Sequence, residues 1–224
     1  MKKIGIIIAQ LIEGSDFMKK LGEFESIETA GFSVRKYLYK GKEIYFTESG
    51  VGEIRAAIST QFLIDNYGVE TIINFGVVGG LRSEMRGKVC IVEGVCHYDY
   101  DLSALDLSPR GKYEIFDSAV VPTDASIFSL LKEIAPAAQT VVCASGDKFV
   151  VDADFKKGLI DEFGASICEM EAAGILMTAK RSGIPCGIVK IVSDDGDHAD
   201  EYYDFLEHMK DELSSIVIPL IEKL

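Results

Sequence analysis

Positive charge is scarce in this chain. Its 224 residues carry 23 Lys and Arg against 36 Asp and Glu, a net charge of −13. That excludes a basic nucleic-acid footprint and a polybasic membrane patch, so neither partner is expected. The acidity reads as a cytosolic surface, and the expected location is the cytoplasm. No apolar run approaches the ~18 residues of a membrane span. The run Ile4–Ala9 is also shorter than the roughly 7–15 residues of a secretory core. Acidic Glu13 and Asp16 follow it closely, so a first buried strand is expected there. Cofactor motifs are missing too. There is no GxGxxG, no GxxxxGK followed by Ser or Thr, no HExxH, no GxSxG and no CxxC. Dinucleotide, P-loop, zinc-protease and serine-hydrolase readings therefore lack support, and the expected cofactor and metal set is none. The five cysteines are odd in number, and all but Cys96 sit in apolar runs, as buried free thiols of a reducing compartment would. His97, His198 and His208 show no metal-ligand spacing.

Hydrophobic residues, by contrast, are plentiful at 48%. This suits one α/β domain over residues 1–224 with a large core. Expected strands are Ile4–Ala9, Thr71–Phe75, Lys88–Tyr98, Thr140–Ala144, Ser166–Glu169 and Pro185–Val192, with a hairpin of Val34–Leu38 and Glu43–Glu48. Expected helices are Glu13–Leu21, a segment opening at Ser49–Gly52 and running to about Tyr67, Ala125–Ile134 capped by Asp124, Asp154–Phe163, and Glu171–Arg181. The second of these would bury Ile54, Ala57, Ile58, Phe62 and Leu63. A last helix starts near Asp200, and Pro219 is expected to kink or end it. Gly76–Gly80 reads as a turn after its strand, serving either close ligand approach or a tight strand-to-helix connection. Asp99–Tyr113 reads as a loop.

Five apolar strands run straight into polar ends. These ends carry Glu13, Gly76–Gly80, Ser145–Asp147, Glu169–Glu171 and Ser193–Asp195. Ligands of open α/β sheets bind beyond the carboxyl ends of the strands. If these strands are parallel neighbours, Glu13, Glu171 and Asp194 meet at one pocket. A carboxyl desolvated at such a mouth has a raised pKa and suits proton transfer near neutrality.

Four stretches resemble one family: IGIIIAQLIE at Ile4–Glu13, NFGVVGGL at Asn74–Leu81, SGDKFV at Ser145–Val150, and CEMEAAG with IVSDDGD at Cys168–Gly174 and Ile191–Asp197. With HYDYDLS at His97–Ser103, the chain is similar to the 5′-methylthioadenosine/S-adenosylhomocysteine nucleosidases of the nucleoside phosphorylase superfamily. The resemblance implies a three-layer α/β/α fold around a mixed, mostly parallel sheet. It implies hydrolysis of the N-glycosidic bond of a small-molecule nucleoside, by a homodimer. By that resemblance Asp194 protonates purine N7, Ser193 orients Asp194, and Glu13 deprotonates the attacking water. Glu171 would hold the ribose hydroxyls, Met170 pack on the sugar and Phe149 stack on the purine. The Val150 backbone would read the base edge, Gly79 line the site, and Tyr202 close it. Without the resemblance, Phe149, Met170 and Tyr202 would read as core packing. The chain departs from the family at Val77, usually a small hydroxyl residue, and at Lys190, usually arginine. Its Gln10-Leu11-Ile12 is also poorer in acid than usual.

Two alternatives stay open at the level of sequence. A phosphorylase would use phosphate, which needs cations or several amides. Gln10–Asp16 offers no cationic residue and carries Glu13, whose charge repels phosphate, whereas Arg82 and Arg86 follow the glycines and read as surface residues. A nucleoside-binding protein without catalysis would not need three carboxylates. Val51–Tyr67 is the candidate dimer helix.

Overall fold

The computed structural model describes residues 1–29, 31–194 and 202–224, with side chains for 1–29, 31–193 and 211–224. Along the chain run β1 (Lys3–Ile8), a 3₁₀ turn (Leu11–Gly14), α1 (Ser15–Leu21), β2 (Phe24–Thr29), β3 (Phe32–Tyr39), β4 (Lys42–Glu48) and α2 (Glu53–Tyr67). Then come β5 (Thr71–Gly80), β6 (Val89–His97), β7 (Val120–Pro122), α3 (Ala125–Ile134), β8 (Gln139–Ser145) and α4 (Ala153–Phe163). The chain continues through β9 (Ala165–Glu169), α5 (Ala172–Arg181), β10 (Cys186–Asp194) and α6 (Tyr202–Lys223).

These strands form one mixed sheet. β1 lies between β4 and β5, parallel to both, with Ile6 beside Phe46 and Ile73. β5 pairs parallel with β10, and its last residues pair antiparallel with β9. β6, β8 and β9 are parallel neighbours, and β10 runs antiparallel to β6, so the strands from β5 through β9, β8 and β6 to β10 close on themselves. β1 shows the period of two that a strand imposes. Ile4, Ile6 and Ile8 enter a core formed with α1, α3 and α6, while Ile7 enters the opposite core formed with α2 and α5. Helices thus flank the sheet on both faces, as the α/β expectation required. All five cysteines are buried, Cys96 included, and none is in a disulfide. Among the described residues, no helix is long and apolar enough to cross a membrane.

Four expectations are corrected. Gly76–Gly80 is not a turn, because β5 runs through it to Gly80 and β10 pairs along it. Pro219 does not end α6, which continues to Lys223. Its proline deletes one backbone bond near the end of the helix, and Ile216, Val217, Leu220 and Ile221 pack in the core on both sides of it. α2 buries Glu53, Ala56, Ser59, Thr60 and Leu63, while Ile54 and Ile58 are exposed. Small residues win there because α2 packs closely on α5, where a Cβ at Gly174 would stand 2.4 Å from the Glu53 carbonyl oxygen. Lastly, Glu13 belongs to a 3₁₀ turn and precedes the first α-helix.

Candidate active site

A cavity of about 280 Å³ opens where β1, β5, β9 and β10 end. Its wall includes Gln10 and Glu13 beyond β1, Val77–Gly79 on β5, Cys168 and Glu169 at the end of β9 with Met170 and Glu171 just beyond it, and Ser193 on β10. Lys148, Phe149 and Val150, on the loop after β8, complete it. Glu13, Ser193, Glu171, Met170, Phe149, Val150 and Gly79 therefore meet at one cavity. Phe149 is 57% exposed, which sets aside core packing as its role. The backbone of Asp194 ends β10 in register with Gly79, and Ser193 is the extra residue of a bulge between Val192 and Asp194. Bulges of this kind re-aim side chains beside active sites. The side chains of Asp194 and Tyr202 lie outside the described residues. Ser193 donates its hydroxyl to the Val78 carbonyl at 3.2 Å.

Glu13 is buried and held by two amides. Gln10 N–H reaches Oε2 and Val77 N–H reaches Oε1, each at 3.0 Å. A Cβ at Gly76 would sit 2.7 Å from Oε1, so the carboxylate can lie against β5 only beside a glycine. Burial raises the Glu13 pKa, while the Val77 amide and the charge of Lys190 act against the rise. Glu171 is pushed up to about 8 by burial and next by the charge of Glu169. Glu53 is also pushed up to about 8, again by burial first and Glu169 second.

Lys190 takes the place of the expected arginine. It is buried and lies 3.4 Å from the equally buried Glu169. Burial alone would lower its pKa, but Glu169, Glu171 and Glu13 together hold it raised. Glu169 also accepts amide bonds from Glu171 and Ala172. Removing one partner of such a buried pair typically costs about 3–5 kcal/mol, because the other charge is left uncompensated. Arg82 and Arg86 are exposed and lie outside the cavity wall. His97 shares a 2.7 Å hydrogen bond with Tyr113 and does not line the cavity. No cluster of three His, Cys, Asp or Glu able to hold a metal occurs among the described residues.

Sequence reasoning did not single out Glu53. An acidic residue in the first turn of a helix is ordinary dipole complement, and nothing local marks it as buried.

The model of the phosphorylase superfamily matches residues 3–222. The chain belongs to the phosphorylase superfamily. The chain is 33% identical to an aminodeoxyfutalosine nucleosidase of Helicobacter pylori over 95% of its own length and 100% of that relative. It is 29% identical to a 5′-methylthioadenosine/S-adenosylhomocysteine nucleosidase of Shewanella sediminis over 99% of its length and 100% of the relative. Among solved structures, the superfamily fold overlays on the Helicobacter pylori 5′-methylthioadenosine/S-adenosylhomocysteine nucleosidase in complex with an inhibitor. That overlay has a TM-score of 0.93 and 30% identity, covering 100% of this chain and 99% of the other. The fold expected from the sequence is thereby established.

Proposed function

We propose that this protein hydrolyses the N-glycosidic bond of a 5′-modified adenine nucleoside, methylthioadenosine or adenosylhomocysteine, to adenine and a 5′-substituted ribose. The observation that carries this reading is the Glu13 carboxylate, pinned by two amides in the wall of the cavity that Glu171 also lines. Cleavage by water makes two demands. The departing purine must be protonated, and water must be delivered to C1′ from the opposite face, as in inverting glycosidases. Glu13 serves as the base and Asp194 as the acid on N7, with Ser193 next to it in the β10 bulge. Glu171 accepts from the ribose hydroxyls and Met170 packs on the sugar. Phe149, exposed at the cavity, covers the purine, and the Val150 backbone reads its edge. Gly79 leaves room for the base beside β5, and Tyr202 closes the site.

Phosphate is a poor nucleophile for this cavity. Its wall carries Glu13, Glu169 and Glu171; of the nearby cations, Lys148 in the wall stands with its ammonium over the Phe155 ring and Lys190 is engaged by Glu169. Release of free base from methylthioadenosine, adenosylhomocysteine, aminodeoxyfutalosine, adenosine and inosine should be followed with and without phosphate. Release in phosphate-free buffer is expected. Strict phosphate dependence would identify a phosphorylase instead, and binding without release a non-catalytic protein.

We also place the protein in the cytoplasm as a homodimer. Five buried thiols, none in a disulfide, suit a reducing compartment. Val51, Ile54 and Ile58 expose apolar surface beside the cavity, at and just before α2. Light scattering is expected to give twice the chain mass, and Ile54→Glu with Ile58→Glu to give one chain mass. A monomeric parent protein would refute the dimer.

A further inference from the structure

The start of a helix leaves backbone N–H groups without intrahelical partners. An acidic N-cap side chain ordinarily folds back onto the second or third of them. Glu171 is the N-cap of α5, yet its carboxyl makes no such bond. It accepts instead from Gly52 N–H at 3.0 Å, on the segment leading into α2, and lines the cavity. The amides of α5 are satisfied from three other elements. Ala172 N–H donates to Glu169 of β9 at 2.9 Å. Ala173 N–H donates to the Ser145 hydroxyl of β8 at 3.0 Å. Gly174 N–H donates to Oε2 of Glu53, on the first turn of α2. Ser145 in turn donates its hydroxyl to Oε1 of Glu53. Both positions that Glu171 would cap are already taken.

We propose that Glu53 is a positioning residue, which caps α5 from α2 with the help of Ser145 and so leaves the Glu171 carboxyl free for the ribose hydroxyls. This rests on the ribose-binding role given to Glu171 above. Removing Glu53 leaves the part-buried Gly174 amide without its acceptor, and Glu171 is the N-cap carboxyl placed to take it. Glu171 then turns from the cavity onto its own helix. Two helix starts can share these groups only because Gly174 has no side chain, as the 2.4 Å approach of a Cβ to the Glu53 carbonyl requires.

The test compares, by calorimetry, binding of a carbon-linked analogue of methylthioadenosine, a nucleoside that water cannot cleave, with binding of adenine, which has no ribose. Glu53→Ala is expected to weaken the nucleoside by about 10–100-fold, the cost of leaving the ribose hydroxyls without their partner in a closed site, and to leave adenine within about twofold. Glu53→Gln retains an acceptor for the Gly174 amide and is expected to restore most of the nucleoside affinity. In a Glu171→Gln background, Glu53→Ala should add nothing, because its effect passes through Glu171. Ser145→Ala frees the Ala173 amide and should mimic Glu53→Ala, so a poorly folding Glu53→Ala does not end the test. Equal loss of nucleoside and adenine, unchanged nucleoside affinity, or additive losses in the Glu171→Gln background would overturn the proposal. Binding of the analogue without base release from methylthioadenosine in the parent protein would sink the hydrolase reading alone, since these comparisons are read in binding. If the parent binds adenine but no nucleoside, both readings fall.

Discussion

Glu13→Gln is expected to lower kcat by about 10²–10⁴, or roughly 3–5 kcal/mol of barrier, while methylthioadenosine still binds. An amide cannot take a proton from water at neutral pH. In the proposed reading, ground-state contacts to purine and ribose come from Phe149, Val150 and Glu171, which line the cavity and which the substitution leaves alone. The variant carries a structural cost as well. Both Glu13 oxygens accept an amide, from Gln10 and from Val77. Glutamine offers one oxygen, so one part-buried N–H loses its partner, at up to about 1–3 kcal/mol of stability. A thermal melt separates this from the loss of rate. The pH profile adds a second check. Burial raises the Glu13 pKa, so protonation of the base on acidification begins above the ordinary carboxylate range. The rate of the parent should fall there as pH drops. Lost binding with an intact turnover number would refute the base assignment.

Asp194→Asn is expected to lower kcat by at least about 10². Adenine leaves as an anion unless it is protonated as the bond breaks, and asparagine has no titratable proton to give. The backbone places this residue at the end of β10 opposite Gly79, directly after the bulged Ser193. The parallel pairing with β5 sets that backbone position beside Gly79, which lines the cavity, as does the preceding Ser193. A nucleoside bearing a more acidic leaving base needs less help, so the penalty should shrink with such a substrate. An undiminished kcat, or an equal penalty for all leaving groups, would remove Asp194 from the role of acid.

Much of the frame was legible because burial leaves a repeating mark. Continuous apolar runs identified β1, β5, β8, β9 and β10, and the polar ends of those runs carried the cavity residues. Where burial is weak, the mark fails. β2 escaped notice because its FESIET sequence is charged and its side chains are mostly exposed at the sheet edge. β7 is three residues long and depends on β6 for its pairing. The inner face of α2 was misread because hydrophobicity points to Ile54 and Ile58. Close approach of α2 to α5 instead selects Ala56, Ser59 and Thr60. The glycines of β5 read as a turn by sequence alone, although one of them, Gly76, admits the Glu13 carboxylate beside a strand.

Order along the chain therefore determined which segments become strands and helices, and which polar residues stand at their ends, because periodic burial is written locally. It could not say that Glu53 and Ser145 would take over the capping of α5, or that Lys190 would pair with Glu169 between several carboxylates. Those contacts join residues from 21 to 121 positions apart. Only packing brings such groups together, and only burial turns their proximity into a strong, charge-shifting interaction.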